Sequence, residues 1–214
     1  MIELWQGRIC LRQLALKEAL MNTDTASLAV TILLAIAGLL GKYAYDLRLA
    51  RRKDALELVN KRLNDFYGPL FVASKAGAIT AAALKERLGQ GAIFIDRRSP
   101  SQHELNEWKV WLPTVFMPLN EFQEQLILKN SHLVRETEFP SCLLHFVAHV
   151  AAYKAVLNQW DRGDFTQILS VVDFPEGLED YASSSFAALK SEQARLIGLT
   201  MSPVNAESLS VSTW

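Results

Sequence analysis

Residues 26–45 read ASLAVTILLAIAGLLGKYAY, and over 27–41 every side chain is apolar apart from Ser27 and Thr31. At about 1.5 Å of rise each, ~20 such residues cross the ~30 Å hydrocarbon layer of a bilayer. The pattern therefore predicts a transmembrane helix over 26–45, with Lys42 snorkelling and Tyr43 and Tyr45 at headgroup depth. A secretory leader has a shorter apolar core, about 7–15 residues, followed by a small-x-small cleavage site; this segment has neither. A core helix of this length would keep a polar face. Beyond the span no Gly or Pro occurs over 42–67, and Leu49, Leu56, Val59, Leu63, Phe66 and Leu70 recur at heptad-like spacing. That spacing predicts an amphipathic stalk continuous with the span. Gly68-Pro69 is expected to break or sharply kink it, because proline lacks the backbone donor and clashes with the preceding turn. Asn64, Asp65 and Tyr67 would cap its end, with a functional turn as the competing reading.

Four further helices follow from the same reading. An alanine-rich helix over 70–88 closes at Gly89-Gln90-Gly91, and a short apolar turn over 93–95 and a loop over 96–99 come next. Ser101 with Glu104 three residues on forms a capping box that starts a third helix, and Ser99 followed by Pro100 offers an alternative cap. Its buried stripe would be Leu105, Trp108, Leu112, Val115, Leu119, Phe122 and Leu126, with Pro113 and Pro118 kinking or splitting it. Pro140 opens a fourth helix through Leu143, Leu144, Phe146, Val147, Val150, Tyr153, Val156, Leu157 and Trp160 to near Gly163, apolar round much of its circumference and so expected at the centre of a bundle. A linker over 164–174 carries the apolar run 168–172, and Pro175 opens a last helix through Leu178, Tyr181, Phe186, Leu189, Leu196 and Ile197. Residues 1–20 mix apolar and charged positions as an interfacial helix does; a start at Met21 is the alternative. The segment 200–214 is small, polar and aperiodic, which predicts a disordered tail. The fold class is all-α: an N-terminal transmembrane helix continuing into a cytoplasmic stalk and a four- to five-helix bundle. The domains are 1–25, 26–45, 46–199 and 200–214.

Composition changes this picture little. Lys and Arg number 22 against 23 Asp and Glu, a net charge of −1, so no global field recruits nucleic acid, which is an unlikely partner. A mean hydropathy of +0.09 fits one span plus a globular part. The two cysteines, Cys10 and Cys142, flank the span, which argues against a disulfide framework and for a reducing compartment around the main domain. Local charge is more informative. Arg48, Arg51, Arg52 and Lys53, followed by Lys61 and Arg62, outnumber Arg8, Arg12 and Lys17 upstream. The positive-inside bias then places the C-terminal bulk in the cytoplasm, on the inner (cytoplasmic) membrane as a single-pass protein. Arg48, Arg51, Arg52 and Lys53 would also meet anionic headgroups at about 1 kcal/mol for each residue near the surface. A plain topology signal is the competing reading.

The strings LVNKRLNDFYGPL (58–70), WKVWLPTVFMPLN (108–120), AHVAAYKAV (148–156) and SEQARLIG (191–198) resemble a group of uncharacterised bacterial membrane-anchored helical proteins. The resemblance runs from the span to Gly198 and implies bacterial origin and this architecture, with no activity to transfer. In layout alone, one N-terminal span on a small helical domain, the chain is similar to the membrane-pore accessory proteins of CRISPR systems with RNA-targeting effectors.

Two constellations carry candidate chemistry. Cys142, His145 and His149 fall at i, i+3 and i+7 of the fourth helix, so a thiolate and two imidazoles on one face would suit a transition metal, with His132, Glu136 or Glu138 as a fourth ligand. Core packing is the competing reading, and no other cofactor is implied. Arg98 and His103 resemble the Arg-x4-His motif of HEPN ribonucleases. That resemblance implies His103 as general acid/base and Arg98 on the phosphate. Arg98 precedes the predicted cap instead of sharing the helix of His103, which departs from the family pattern. Phosphate-binding glycine loops, nucleophile elbows and His-Glu-x-x-His are absent. Glu121 with Glu124 and Glu136 with Glu138 read as solvated charges, and Trp108 as a core residue. Ser27, Thr31, Ala35 and Gly38 give the span a face of small residues on which helices can approach closely. The expected function is a membrane-anchored, self-associating scaffold, sensor or pore-like effector without enzymatic activity, its partners the lipid bilayer and further copies of itself. The alternative is a membrane-tethered ribonuclease or metal enzyme.

Overall fold

Proline decides where the helices of this chain change register. The computed structural model describes residues 3–89 and 101–198, with side chains from Ser27 onward. Helix α1 (Glu3–Arg62) passes directly into a π-helical turn (Leu63–Tyr67) and then α2 (Gly68–Leu88). Helix α3 (Gln102–Trp111) likewise passes through a π-helical turn (Leu112–Phe116) into α4 (Met117–Asn130), followed by a 3-10 turn (Ser131–Leu133). Helices α5 (Ser141–Asp161) and α6 (Leu178–Ile197) complete the chain. The described residues include no strand, and the fold is all-α.

Gly68-Pro69 does not break the helix. The Gly68 N–H donates to the Leu63 carbonyl in the wider i to i−5 pattern, and Tyr67 and Gly68 keep helical dihedrals. The extra residue in the turn moves the carbonyls that the Pro69 ring would meet in a regular α-helix. The same device recurs at Pro118, where the Met117 N–H reaches the Leu112 carbonyl. One extra residue also rotates everything after it. The stripe expected through Phe122 and Leu126 is displaced by one position: Gln123, Glu124 and Ile127 are buried and Phe122 is 50 % exposed.

The chain divides into two units, Met1–Asp54 and Ala55–Trp214. In the first, every described side chain is exposed. An 18-residue window there has mean hydropathy 1.8 and no buried residue, and this is one helix long and apolar enough to cross a membrane. The Thr31 hydroxyl donates to the Ser27 carbonyl at 2.9 Å, so this polar group is satisfied within the helix. Residues 3–20, expected as a separate interfacial helix, are part of α1. The 200–214 tail lies outside the described residues.

The second unit has its own core. Helix α2 packs on α4 and α6, and α4 on α5. The heptad positions Val59, Leu63, Phe66 and Leu70 are buried here, so the apolar face of the expected stalk is part of the core of this unit. Tyr67, expected as a cap, is completely buried. Ser101 caps α3 in the predicted capping box, its Oγ accepting from the Glu104 N–H while Glu104 accepts from the Ser101 N–H. Phe71 stacks on Phe186 at 4.7 Å, joining α2 to α6.

Two glycines of α2 separate packing from helix propensity. A Cβ at Gly68 would lie 2.5 Å from the Leu63 carbonyl oxygen, whereas one at Gly77 meets nothing within 4 Å. Gly68→Ala should therefore lower stability by about 1–3 kcal/mol. Gly77→Ala should be neutral or gain up to ~1 kcal/mol. Urea unfolding followed by circular dichroism compares the two.

Candidate functional site

The segment between α5 and α6, residues 162–177, is irregular, so its backbone polar groups need partners from elsewhere. Ring side chains supply them. The Trp160 Nε1–H donates to the Gln167 carbonyl at 2.8 Å and the Trp108 Nε1–H to the Ile168 carbonyl at 3.1 Å. His149 Nδ1 lies 2.6 Å from the Val172 carbonyl, which requires the proton on Nδ1. Asp164 accepts from both the amide and the hydroxyl of Thr166, and Lys109 Nζ sits 3.8 Å over the Phe165 ring. The result is a strap tied to α3 and α5 at the carbonyls of Gln167, Ile168 and Val172.

Under the strap lies a cleft of about 370 Å³. Its origin is a gap in the side chains of α2. Leu70 and Leu84 are fully buried, but the positions between them on the same face are Ser74, Gly77, Ala78 and Ala81, which leave the space empty. The opposite walls are aromatic: Trp108, Phe116, Tyr153 and Phe174. The His149 ring lies edge-on to Tyr153 and Phe174, at 4.9 and 5.4 Å. Burial pushes the His149 imidazole below its ordinary range and lifts the Tyr153 hydroxyl to about 12, so both are neutral around pH 7. Of the polar lining, Ser74 donates to Gln123 at 3.0 Å, and Lys75 pairs with Glu179 at 2.6 Å.

A second polar cluster holds the α4–α5 connection. The Tyr67 hydroxyl accepts from the Arg135 N–H at 3.1 Å, and Tyr181 donates to Glu136 at 3.1 Å. The two hydroxyls are 3.3 Å apart, and Arg62 Nε donates to the Leu133 carbonyl. Burial raises both tyrosines, which keeps them as hydroxyl donors. Glu136 is thus an acceptor in a structural clasp, and Glu124 is buried in an ion pair with Lys154; the reading of both as simply solvated charges is corrected.

The expected metal set is not brought together. Cys142 and His145 border a separate open cleft beside Asp173 and Glu176, while His149 turns to the strap carbonyl. Among the described residues, no group of three or more His, Cys, Asp or Glu is placed to hold a metal ion. Burial raises the Cys142 thiol, which disfavours the thiolate a metal would need. His103 is exposed in the first turn of α3, and Arg98 lies outside the described residues. Arg48, Arg51, Arg52 and Lys53 are all exposed, as are Ser27, Thr31, Ala35 and Gly38. The cleft itself has a signal in the sequence that helix propensity hides: Ser74, Gly77, Ala78 and Ala81 fall at i, i+3, i+4 and i+7, a small-residue gap in an otherwise leucine-bearing face.

No protein-family model matches the chain, and no curated protein or solved structure matches it either.

His149 gives the strap a pH dependence with a fixed sign. The folded chain holds the imidazole neutral, while the unfolded chain protonates it in the ordinary histidine range, near pH 6.5. Its contribution is therefore complete above that range and is lost as pH falls through it. Between about pH 7.5 and about pH 5.5 the urea midpoint of the wild type should fall further than that of His149→Gln, which keeps a donor for Val172 but does not titrate.

Proposed function

We propose that this chain is a membrane-anchored, self-associating helical module of a bacterial cell that acts by binding and assembly, as a scaffold, sensor or pore-like effector. One observation carries the reading: none of the apolar window in α1 is buried by the chain. Leu28, Leu34 and Leu39 stand 62 %, 69 % and 69 % exposed, an apolar surface that water would penalise and lipid covers. Arg48, Arg51, Arg52 and Lys53 support an orientation with the bundle on the cytoplasmic side of the inner membrane. Self-association is supported by the open face of Ser27, Thr31, Ala35 and Gly38, where a Cβ on Gly38 meets nothing within 4 Å. The chemistry of the bundle fits a non-enzymatic role: the Cys142 thiol is held protonated, the His149 Nδ1 proton is committed to the strap, and the Tyr67 and Tyr181 hydroxyls hold a loop.

Alkaline extraction of membranes should leave the wild type in the pellet. Leu34→Arg, which costs about 2.5–3.5 kcal/mol at the centre of a span, should shift it to the supernatant. Cross-linking in native membranes should give oligomers that Gly38→Ile abolishes; a wild type that cross-links only as monomer defeats the self-association.

A further inference from the structure

The cleft under the strap is built like a small-molecule site. Its volume of about 370 Å³ falls within the ~300–1,000 Å³ of such sites, and its walls are apolar and aromatic with a few polar groups. The charge on its rim is one-sided: Asp173 and Glu179 border it, and among the described residues no lysine or arginine lines it. Lys75 answers Glu179 from outside the lining. Phosphate or carboxylate would enter such a site without a counter-ion and next to Asp173. Aromatic walls favour a flat ring, which can stack or meet them edge-on, and a cation is additionally attracted to their faces. The floor made by Gly77, Ala78 and Ala81 leaves room for such a ring, and the half-buried Asn120 carboxamide in the lining offers both a donor and an acceptor to its edge.

We propose that the cleft between the small-residue face of α2 and the strap binds a small planar aromatic compound that is neutral or carries one positive charge, and discriminates against anions. The inference rests on the cleft alone and holds whether or not the chain is membrane-anchored, so its failure is separable from failure of the membrane reading.

The test uses the full chain in lipid nanodiscs and equilibrium dialysis of three probes sharing one ring: 2-naphthylmethylamine, 2-naphthalenemethanol and 2-naphthoate. The wild type should bind the amine and the alcohol saturably at one site per chain, with naphthoate at least about tenfold weaker. Ala78→Leu, which fills the floor, should lower affinity for both the amine and the alcohol by about tenfold or more while the melting temperature holds or rises. The same nanodiscs carrying this variant also correct for partition of the probes into lipid. Absence of saturable binding by the wild type, naphthoate binding as tight as the amine, or unchanged affinity in a folded Ala78→Leu chain would each overturn the proposal. Should the variant fail to fold, the charge series on the wild type decides alone.

Discussion

An irregular segment laid over a helical core has backbone groups that no helix satisfies, and here the solution organises the bundle. The strap over 162–177 takes its hydrogen bonds from Trp160, Trp108 and His149, three ring N–H donors on two different helices. Trp160 and Trp108 are large apolar side chains with one polar atom each, and the His149 imidazole packs edge-on to Tyr153 and Phe174, so each donor fills the core and ties the strap at once. Holding the strap at three carbonyls fixes the start of α6, where Leu178 is buried, and closes one side of the cleft. An unpaired buried carbonyl would cost about 1–3 kcal/mol, so loss of any tie would loosen the strap and the cleft together.

Coverage of apolar surface separates the two units of the chain. Ala55–Trp214 buries Phe66, Leu70, Phe146 and Leu189 completely within its own helices. In Met1–Asp54 the described apolar residues are covered by nothing in the chain. The second unit supplies its own apolar phase, whereas the apolar window of the first is not buried by the chain.

The sequence makes plain those features that composition or a single local contact decides. The 26–45 segment is apolar enough to be read without a fold, and the Ser101–Glu104 capping box is a local bargain between two residues. Trp108 in the core follows from simple periodicity. Periodicity fails where a π-helical turn adds a residue. Proline at 69 and 118 reads as a break, because the wider turn that accommodates it has no composition of its own, and in α4 the buried Gln123 and Ile127 then fall one residue beyond Phe122 and Leu126. Cys142, His145 and His149 are kept apart for a different reason. Side chains at i, i+3 and i+7 share a face, but a face is wide enough for His149 to turn to the strap while Cys142 and His145 border another cleft. The cleft under the strap is hidden in the sequence because Gly and Ala on a helix register as propensity, and only the opposing walls reveal them as missing volume.

The central claim is that an apolar helix needing an outside phase is joined to a bundle that folds on its own core. Sedimentation in detergent-free buffer tests it most directly, comparing the full chain with residues 55–214 expressed alone. The account predicts that 55–214 stays in solution, helical and cooperatively folded, while the full chain sediments with membranes. A full chain that stays soluble, or a 55–214 fragment that is unfolded or aggregated, would contradict it.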